Sequence, residues 1–197
     1  MVITDGRVIL RDFVREDIED RIRWETVETE WLLWDAPWEL EEEEPFSPDA
    51  YRDKMLRQLS TEKDPSRMRR SFQICINNGT RTHIGWCNSY NIDANYDYTD
   101  ENGYCTIGID IPEQSARRQG YATAAWKLFI EYLLSNGVED IYTQTWSGNE
   151  RVLGLIRKMG FEQCARQVNY RMVRGQSYDG LTFKLNISSF RKLVYGK

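Results

Sequence analysis

The sequence contains a single histidine and four cysteines, the latter at positions 75, 87, 105 and 164 of 197 residues. No two cysteines have the C-x-x-C spacing of zinc and redox motifs, and one histidine cannot complete a zinc site without distant ligands. We therefore predict that the protein binds no metal. Widely spaced cysteines of this kind are typical of buried or half-buried thiols in a reducing compartment.

Long hydrophobic runs and an excess of positive charge are also missing. No apolar run approaches the roughly 20 residues of a membrane-spanning helix, and the N-terminal stretch from Met1 to Arg7 lacks the features of a signal peptide. These absences predict a cytoplasmic protein that does not bind a membrane. The net charge of −5 argues against general nucleic-acid binding, which needs a basic face. The length and the 41% hydrophobic content fit one globular domain covering residues 1–197.

A small-residue turn between a strand and a helix is the most informative feature present. It reads Arg117-Arg118-Gln119-Gly120-Tyr121-Ala122-Thr123, after the apolar run 105–111 and before the helix-like segment 121–134. Unpaired N–H groups and the dipole at a helix N-terminus attract anions, and the small Gly120 and Ala122 let a pyrophosphate approach. The dinucleotide and Walker fingerprints are both absent. The turn therefore predicts a phosphate cradle, with an ordinary connection as the alternative.

The remaining pattern predicts one mixed α/β fold. Strands are predicted at residues 8–13, 70–76, 83–92, 140–146, 161–173 and 181–187, and helices from 17 through 24, at 51–59 and at 151–159. Asp17 is predicted to cap the first helix, and a turn at 77–80 joins a hairpin. Residues 91–103 are predicted to form a loop or a ragged strand end. His83, just after the turn, is predicted to be structural or exposed to solvent.

A tryptophan-rich, acidic stretch separates the first two predicted helices. Trp31, Trp34 and Trp38 fall within eight residues, and Glu39 and the glutamates at 41–44 follow them. The ring faces could hold an apolar or cationic group, or the rings could cap the core. The acids could attract a cationic substrate or form a solvated loop. The sequence leaves both pairs of alternatives open.

Taken together, these blocks resemble the GCN5-related N-acetyltransferase superfamily. Its Q/R-x-x-G-x-G/A block is matched by Arg117, Gly120 and Ala122, and its Asn-started helix ending in Lys-x-Gly-Phe is matched by Asn149, Lys158, Gly160 and Phe161. Leu10-Arg11-x-Phe13 with Asp17 resembles the ribosomal-protein N-terminal alanine/serine acetyltransferase branch. The element order also matches, so the resemblance covers nearly the whole chain. It implies the acetyltransferase fold, a mostly antiparallel central sheet flanked by helices.

The resemblance implies acetyl-coenzyme A as the acyl donor. Backbone groups of Ile109 and Ile111 would bind the pantetheine arm by strand addition. The pyrophosphate would lie on the cradle, which consists of Arg117, Arg118, Gln119, Gly120, Tyr121, Ala122 and Thr123. Asn149 would contact the pantetheine arm or cap its own helix, and both readings stay open.

The implied activity is direct transfer of an acetyl group to a primary amine. The acceptor could be a protein N-terminus, an aminoglycoside-like antibiotic, a polyamine or an amino-acid metabolite, and it could be cationic. Its predicted binding residues are Trp31, Trp34, Asp35 and Glu39. A non-catalytic acyl-coenzyme A-binding module is the alternative. Many relatives form dimers, so a homodimer is an open expectation.

The proton donors that are usual in this superfamily are absent. Ile156 stands where many members have a tyrosine, and Val152 stands where the alanine/serine branch often has a serine. Tyr104 and Asp110 are the substitute candidates, because they have the same side-chain parity on the central strand. The alternatives are an ordinary strand aromatic for Tyr104 and a loop-edge hydrogen bond for Asp110. Water could also carry the proton.

Overall fold

A computed structural model describes residues 1–38, 44–61, 64 and 66–196. Nine strands of these residues form one sheet: β1 (Val2–Thr4), β2 (Val8–Arg11), β3 (Ser71–Ile76), β4 (His83–Ile92), β5 (Tyr98–Thr99), β6 (Tyr104–Asp110), β7 (Ile141–Trp146), β8 (Phe161–Val173) and β9 (Gln176–Leu185). The helices in the same residues are α1 (Asp17–Thr26), α2 (Pro48–Leu59), α3 (Tyr121–Ser135), α4 (Glu150–Lys158) and α5 (Ile187–Tyr195). Short 3-10 helices cover Thr29–Leu33 and Gln114–Ala116.

The strands follow the order β1-β2-β3-β4-β6-β7-β9-β8, and β5 is added to β4. β6 and β7 run parallel, whereas the other described pairs are antiparallel. The arrangement confirms the predicted mixed, mostly antiparallel sheet with flanking helices. Among the described residues, every helix is too short or too polar to cross a membrane.

One face of the sheet forms the core with α3. This helix buries Trp126, Phe129, Ile130 and Leu133, which recur at the three- and four-residue spacing of one helix face. Phe72 of β3 meets Phe129 edge to face, with ring centroids 5.9 Å apart, a favourable geometry for two aromatic rings. The packing fixes the helix whose N-terminus carries the predicted phosphate cradle.

The opposite face of the sheet carries polar and aromatic side chains. Tyr90 of β4 pairs with Thr106 of β6, and Thr106 pairs with Tyr142 of β7, so these three side chains share a face. Because strand side chains alternate with a period of two, Asp110 and Gln144 lie on the same face. The predicted parity of Asp110 is therefore correct, and this face can receive a substrate.

The C-terminal part of the chain differs from the prediction of a strand through residue 187. β9 ends at Leu185, and the Asn186 side chain accepts a hydrogen bond of 3.0 Å from the Ser189 N–H, which caps α5. Phe190 of this helix is fully buried. The capping asparagine and Gly196 after the helix are the sequence signals that mark α5.

The predicted capping role of Asp17 is wrong. The N-cap position of α1 is Glu16, and its side chain makes no capping hydrogen bond. Asp17 instead binds the Arg11 guanidinium at 2.6 Å and accepts the Val14 N–H at 2.8 Å. The buried carboxylate therefore fastens the beginning of α1 to β2.

The single histidine is structural, which is one of the two alternatives predicted for it, and it is not exposed to solvent. His83 is buried, with Nδ1 3.0 Å from an Asp20 carboxylate oxygen and Nε2 3.1 Å from the Gly85 carbonyl. All four cysteines are free. Cys75 and Cys87 are buried and Cys105 is half-buried as predicted, whereas Cys164 is exposed because it lies on β8 at the edge of the sheet.

Candidate active site

The site begins where β6 and β7 diverge. In the described chain these strands pair at two positions, Cys105 with Ile141 and Thr106 with Tyr142. The Thr143 hydroxyl then donates a hydrogen bond of 2.8 Å to the Ile107 carbonyl. Past this point the strand ends separate, and a cavity of about 1180 Å³ opens there.

The cavity brings together most of the residues predicted from the sequence. Its lining includes Trp31, Trp34, Asp35, Ile109, Asp110, Ile111, Arg117, Arg118, Gly120, Tyr121, Ala122, Thr123 and Asn149. Gln119 and Tyr104 are outside this lining. Glu39 and the glutamates at 41–43 lie outside the described residues, and Glu44 is exposed.

The geometry of the turn at 117–123 fits an anion. Gly120 has a φ of 82°, the left-handed conformation that glycine adopts without strain, and it occupies the N-cap of α3. The first helical hydrogen bond runs from the Ala124 N–H to the Gly120 carbonyl at 3.1 Å. The preceding N–H groups of residues 121–123 therefore lie ahead of the helical ladder and remain free for a phosphate.

Arg117 is oriented away from this anion site. Its Nε and Nη2 donate to the carbonyls of Ile111 and Pro112, both at 2.9 Å, and Nη1 forms an ion pair with Glu30. All three guanidinium nitrogens thus contact protein oxygens. The side chain of the first motif residue fastens the end of β6, so a cofactor contact of Arg117 would have to come from its backbone.

Asn149 caps its own helix, one of its two predicted roles. Its side-chain oxygen accepts a hydrogen bond of 3.3 Å from the Val152 N–H at the beginning of α4. Its side-chain nitrogen donates to the Trp34 carbonyl at 2.6 Å, and the Trp146 Nε1 donates to the same carbonyl at 3.0 Å. The predicted pantetheine contact of Asn149 stays a prediction.

Glu30 connects the two sides of the strand opening. Its carboxylate binds Arg117, which follows β6, and Arg151 of α4, with one Arg151 contact at 2.8 Å. The Trp34 Nε1 also donates to it at 2.8 Å. Hydrogen bonds lower the pKa of Glu30 to about 2, the largest contribution coming from Arg151 and smaller ones from Arg117 and Trp34. Burial acts in the opposite direction and raises the pKa, but it does not outweigh these hydrogen bonds.

The tryptophans both pack against the protein and line the cavity. Trp31 is buried and donates from Nε1 to the Trp24 carbonyl at 2.8 Å. The Trp34 ring lies 4.1 Å from the Arg151 guanidinium carbon. Trp38 meets Tyr170 edge to face at 5.9 Å. The packing reading is therefore observed, and the same rings line the cavity. Binding of the acceptor by these rings stays a prediction.

Asp35 and Asp110, far apart in sequence, line the same cavity. Burial raises the pKa of Asp110 well above its usual range, and the charge of Asp35 raises it further. Asp35 is exposed to solvent in the open cavity, and partial desolvation by the nearby protein raises its pKa as well. Arg21 opposes both shifts, but neither carboxyl group forms an ion pair with a described lysine or arginine.

The position of Asp110 depends on a glycine in the neighbouring strand. A Cβ atom on Gly85 would lie 2.0 Å from the Asp110 carbonyl oxygen, so only glycine permits this approach of β4 to β6. Tyr104 lies at the opposite end of β6 and stacks on Tyr142, with ring centroids 4.9 Å apart. Of the two substitute candidates, Asp110 lines the cavity, and the geometry of Tyr104 favours packing.

Both positions that usually hold a proton donor in this superfamily carry apolar residues here, and neither has a polar side chain that could replace the donor. Ile156 is fully buried in the core, and Val152 lines the cavity without a group that could donate a proton. A tyrosine that the sequence reasoning missed, Tyr90, also lines the cavity. Its hydroxyl donates to the Gln144 Oε1 at 3.3 Å. Tyr90 lies on the same face of the sheet as Asp110. The sequence could have identified it only if the register of β4 against β6 had been known.

The sequence and the fold both match known acetyltransferases. Residues 7–162 match the family model described as Acetyltransferase (GNAT) domain. Among curated protein sequences, none is similar enough to match this chain.

Three solved structures illustrate the likeness of fold. A GNAT-family acetyltransferase from Bacillus anthracis is 14% identical, with coverage of 94% of this chain and 98% of that chain and a TM-score of 0.68. RimL, by name a ribosomal L7/L12 alpha-N-protein acetyltransferase in complex with coenzyme A, is 11% identical, with coverage of 93% and 97% and a TM-score of 0.67. A GCN5-related N-acetyltransferase from Brucella melitensis is 19% identical, with coverage of 98% and 81% and a TM-score of 0.65.

At these identities the structural likeness concerns the fold, whereas the family model covers most of the chain. The superfamily resemblance read from the sequence is confirmed, and the fold of RimL agrees with the branch named there. An enzyme is supported over a non-catalytic binding module. The chain belongs to the GNAT acetyltransferase family, and it is an N-acetyltransferase whose acyl donor is acetyl-coenzyme A.

Proposed function

We propose that this enzyme acetylates a cationic primary amine that enters the cavity beside Asp35 and Asp110. The observation that carries the proposal is that both carboxyl groups line the cavity and neither has an ion-pair partner among the described residues. Removing a carboxylate from water is costly unless a cation joins it. An ammonium group of the acceptor would supply that cation.

The aromatic wall supports the same class of acceptor. Trp38, Tyr90 and Tyr170 line the cavity together with the two carboxyl groups. Aromatic ring faces attract cations, and an acidic cleft raises the local concentration of a cationic substrate. The acidic run at 41–44, proposed from the sequence for this role, contributes nothing to this argument because most of it lies outside the described residues.

Some residues of this chain bind acetyl-coenzyme A, and others accept the proton that the amine loses. When bound, acetyl-coenzyme A supplies an acetyl group activated as a thioester. N–H groups of residues 118–123 would hold the pyrophosphate, and the backbone of Ile109 at the end of β6 and of Ile111 just after it would align the pantetheine arm. Holding the amine and the thioester together removes a large entropic part of the barrier.

Asp110 takes the proton that the ammonium must lose before it can attack. Its pKa is raised in the free enzyme, so it can accept a proton near neutral pH more readily than an ordinary carboxylate. The arriving ammonium favours the ionised form, which prepares Asp110 for this role. Asp35 holds the cation beside it.

The candidate acceptors among primary amines include protein N-termini and polyamines. RimL, by name, acts on a ribosomal-protein N-terminus, and we carry that class over as the first candidate. A cytoplasmic location and a homodimeric state remain predictions from the sequence.

A panel of amine probes tests the proposal. Purified enzyme with acetyl-coenzyme A is incubated with a serine-starting peptide, an alanine-starting peptide, spermidine or an aminoglycoside, and thiol release is followed. We expect release above the amine-free rate with at least one probe, and an increased Michaelis constant for that probe in Asp35→Asn. No amine-dependent release with any probe would contradict the proposal.

A further inference from the structure

The reaction needs a group that protonates the departing sulfur, and both usual positions are apolar in this chain. The identity of this group rests on the proposed function, because the group serves the same transfer. A suitable group must lie on the sheet face that carries Asp110 and Gln144, here called the acceptor face, above the gap between β6 and β7. It must also carry a proton at neutral pH and have room to approach the cofactor.

Tyr90 meets the requirement of position. It lies on β4 directly opposite Thr106 of β6, and its hydroxyl reaches the Gln144 Oε1 on β7 at 3.3 Å. The side chain therefore crosses β6 from one neighbouring strand to the other. Its hydroxyl lies on the acceptor face where β6 and β7 begin to diverge. Gly108, the next β6 residue on this face, lines the cavity and carries no side chain of its own, and the Asn88 Oδ1 would lie 3.0 Å from a Cβ atom at this position.

The surroundings of Gln144 determine the direction of the hydrogen bond. The Gln144 Nε2 donates to the Tyr96 carbonyl at 2.8 Å and lies 3.1 Å from the Thr182 hydroxyl. The amide oxygen therefore faces Tyr90, and the Tyr90 hydroxyl is the donor. At 3.3 Å this hydrogen bond is long for an O–H donor, so the proton can be redirected to a stronger acceptor at small cost.

Tyr90 is also neutral over the working pH range. Burial raises its pKa, and the nearby charge of Asp35 raises it further. A phenol that keeps its proton is a donor in the resting enzyme. Because a free tyrosinate here would be unfavourable, the proton given up must be replaced in the same step.

We propose that Tyr90 is the catalytic residue that gives its hydroxyl proton to the leaving sulfur. In this step the amine nitrogen forms a bond to the acetyl carbon while the carbon–sulfur bond breaks. Asp110 has already removed one proton from the ammonium. Tyr90 protonates the sulfur to give the free thiol, and the second proton released by the nitrogen returns to Tyr90. One proton is released to solvent overall, by way of Asp110.

Tyr90→Phe tests this role, with Tyr178→Phe as the matched control. The Tyr178 hydroxyl also donates to a glutamine oxygen, that of Gln176 at 2.8 Å, but it lies outside the cavity lining. With the best amine of the panel, we expect kcat to fall by about 10²-fold or more in Tyr90→Phe, with a small change in KM. Tyr178→Phe should keep the wild-type kcat.

A binding measurement tests the same contact without turnover. Dissociation constants of coenzyme A and of desulfo-coenzyme A, which lacks the sulfur, are compared by calorimetry. The ratio of the two dissociation constants should favour coenzyme A about fivefold more strongly in wild type than in Tyr90→Phe. This difference corresponds to about 1 kcal/mol, the contribution of one hydrogen bond. Tyr178→Phe should retain the wild-type preference. Melting temperatures of both variants report whether either fold is damaged.

The outcomes separate the two proposals. If wild type transfers acetyl groups and Tyr90→Phe keeps both its kcat and its preference for coenzyme A, the role of Tyr90 is overturned and the proposed function stands. If wild type binds coenzyme A but no amine is acetylated, the proposed function fails, and the desulfo comparison still decides whether Tyr90 contacts the sulfur. Absence of coenzyme A binding overturns both.

Discussion

The side-chain amide of Asn149 donates a hydrogen bond of 2.6 Å to the backbone carbonyl of Trp34. The oxygen of the same amide caps α4 through the Val152 N–H. One buried residue thus joins the second acetyltransferase motif to Trp34, which lines the cavity. The motif positions Trp34 as well as its own helix.

Asn149 variants should separate the two hydrogen bonds. Asn149→Ala removes both, and we expect the free energy of unfolding to fall by about 2 kcal/mol, roughly half from the cap and half from the Trp34 carbonyl. Asn149→Ser keeps a capping oxygen but cannot reach Trp34, so it should lose about 1 kcal/mol. Urea denaturation of both variants measures this, and equal stability of Ala and Ser variants would show that the cap contributes nothing.

Glu30→Gln should reveal the ion pairs that connect the two sides of the cleft. Arg117 and Arg151 lower the pKa of Glu30 from 4.5 to about 2, so the ionised form stabilises the native state. Because Glu30 is about one-third exposed, solvent screening reduces this contribution, and we expect a loss of about 1–2 kcal/mol at pH 7.

The sign of the pH dependence follows from the lowered pKa of Glu30. The stabilisation is fully present above 4.5 and is lost as the pH falls towards 2, so the difference between wild type and Glu30→Gln should shrink over that interval. Urea denaturation between pH 2 and pH 7 measures it. Glu28→Gln, whose partner Arg23 lies outside the cavity lining, is the control. A difference that is constant with pH would rule out the ion pairs as its cause.

Asp110→Asn should change stability in the opposite sense. The raised pKa of Asp110 means that the native protein holds a proton at pH values where the unfolded chain has lost it. Wild-type stability therefore falls as the pH rises above the ordinary value of 3.8, and Asp110→Asn should be more stable than wild type at pH 8. Thermal unfolding across pH 4 to 8 measures the trend.

An acid with the reverse shift serves as the control for Asp110. Backbone and Arg166 hydrogen bonds lower the pKa of Asp179, so Asp179→Asn should lose stability relative to wild type as the pH rises. If both variants moved in the same direction with pH, the raised pKa of Asp110 would be contradicted.

Gly120→Val should weaken cofactor binding beyond its effect on stability. Valine is strained at a φ of 82°, which costs about 1–2 kcal/mol, and its Cβ would lie 3.4 Å from the Arg7 Nη1. The substitution should therefore displace the turn whose N–H groups form the cradle. Gly137→Val is the matched control, since Gly137 has a φ of 84° but open space around it. Coenzyme A at about 100 times its dissociation constant should stabilise wild type and Gly137→Val by about 2.7 kcal/mol. Equal stabilisation of Gly120→Val would contradict the cradle.

Local patterns allowed the turn of the cradle and most of the strands to be predicted from the sequence, although β1 and β5 were not. Gly120 and Asn149 act on N–H groups a few residues away, so their spacing carried the information. The helix α5 was missed although Asn186 and Gly196 frame it, because the last predicted strand was extended through Ile187 and no element was predicted after it. Here a capping signal was present and was given too little weight.

The acceptor side could not be predicted because its contacts join distant segments. The hydroxyl of Tyr90 meets Gln144, on the face that also carries Asp110, only because the sheet register brings these positions together. Asp35 joins them in the cavity lining from the segment that follows the 3-10 helix Thr29–Leu33. No spacing along the chain encodes that register. The same limit explains why Tyr104, which has the parity of Asp110, was grouped with it although it lies at the other end of β6.

Simultaneous measurement of thiol release and acetylated amine tests the central claim most directly. With acetyl-coenzyme A and the best cationic amine of the panel, mass spectrometry should find one acetylated amine for each thiol released. The Asp35→Asn/Asp110→Asn double variant should lose this transfer while it still binds coenzyme A. Thiol release without acetylated amine, or a double variant that transfers acetyl groups at the wild-type rate, would contradict an acceptor site built on these two carboxyl groups.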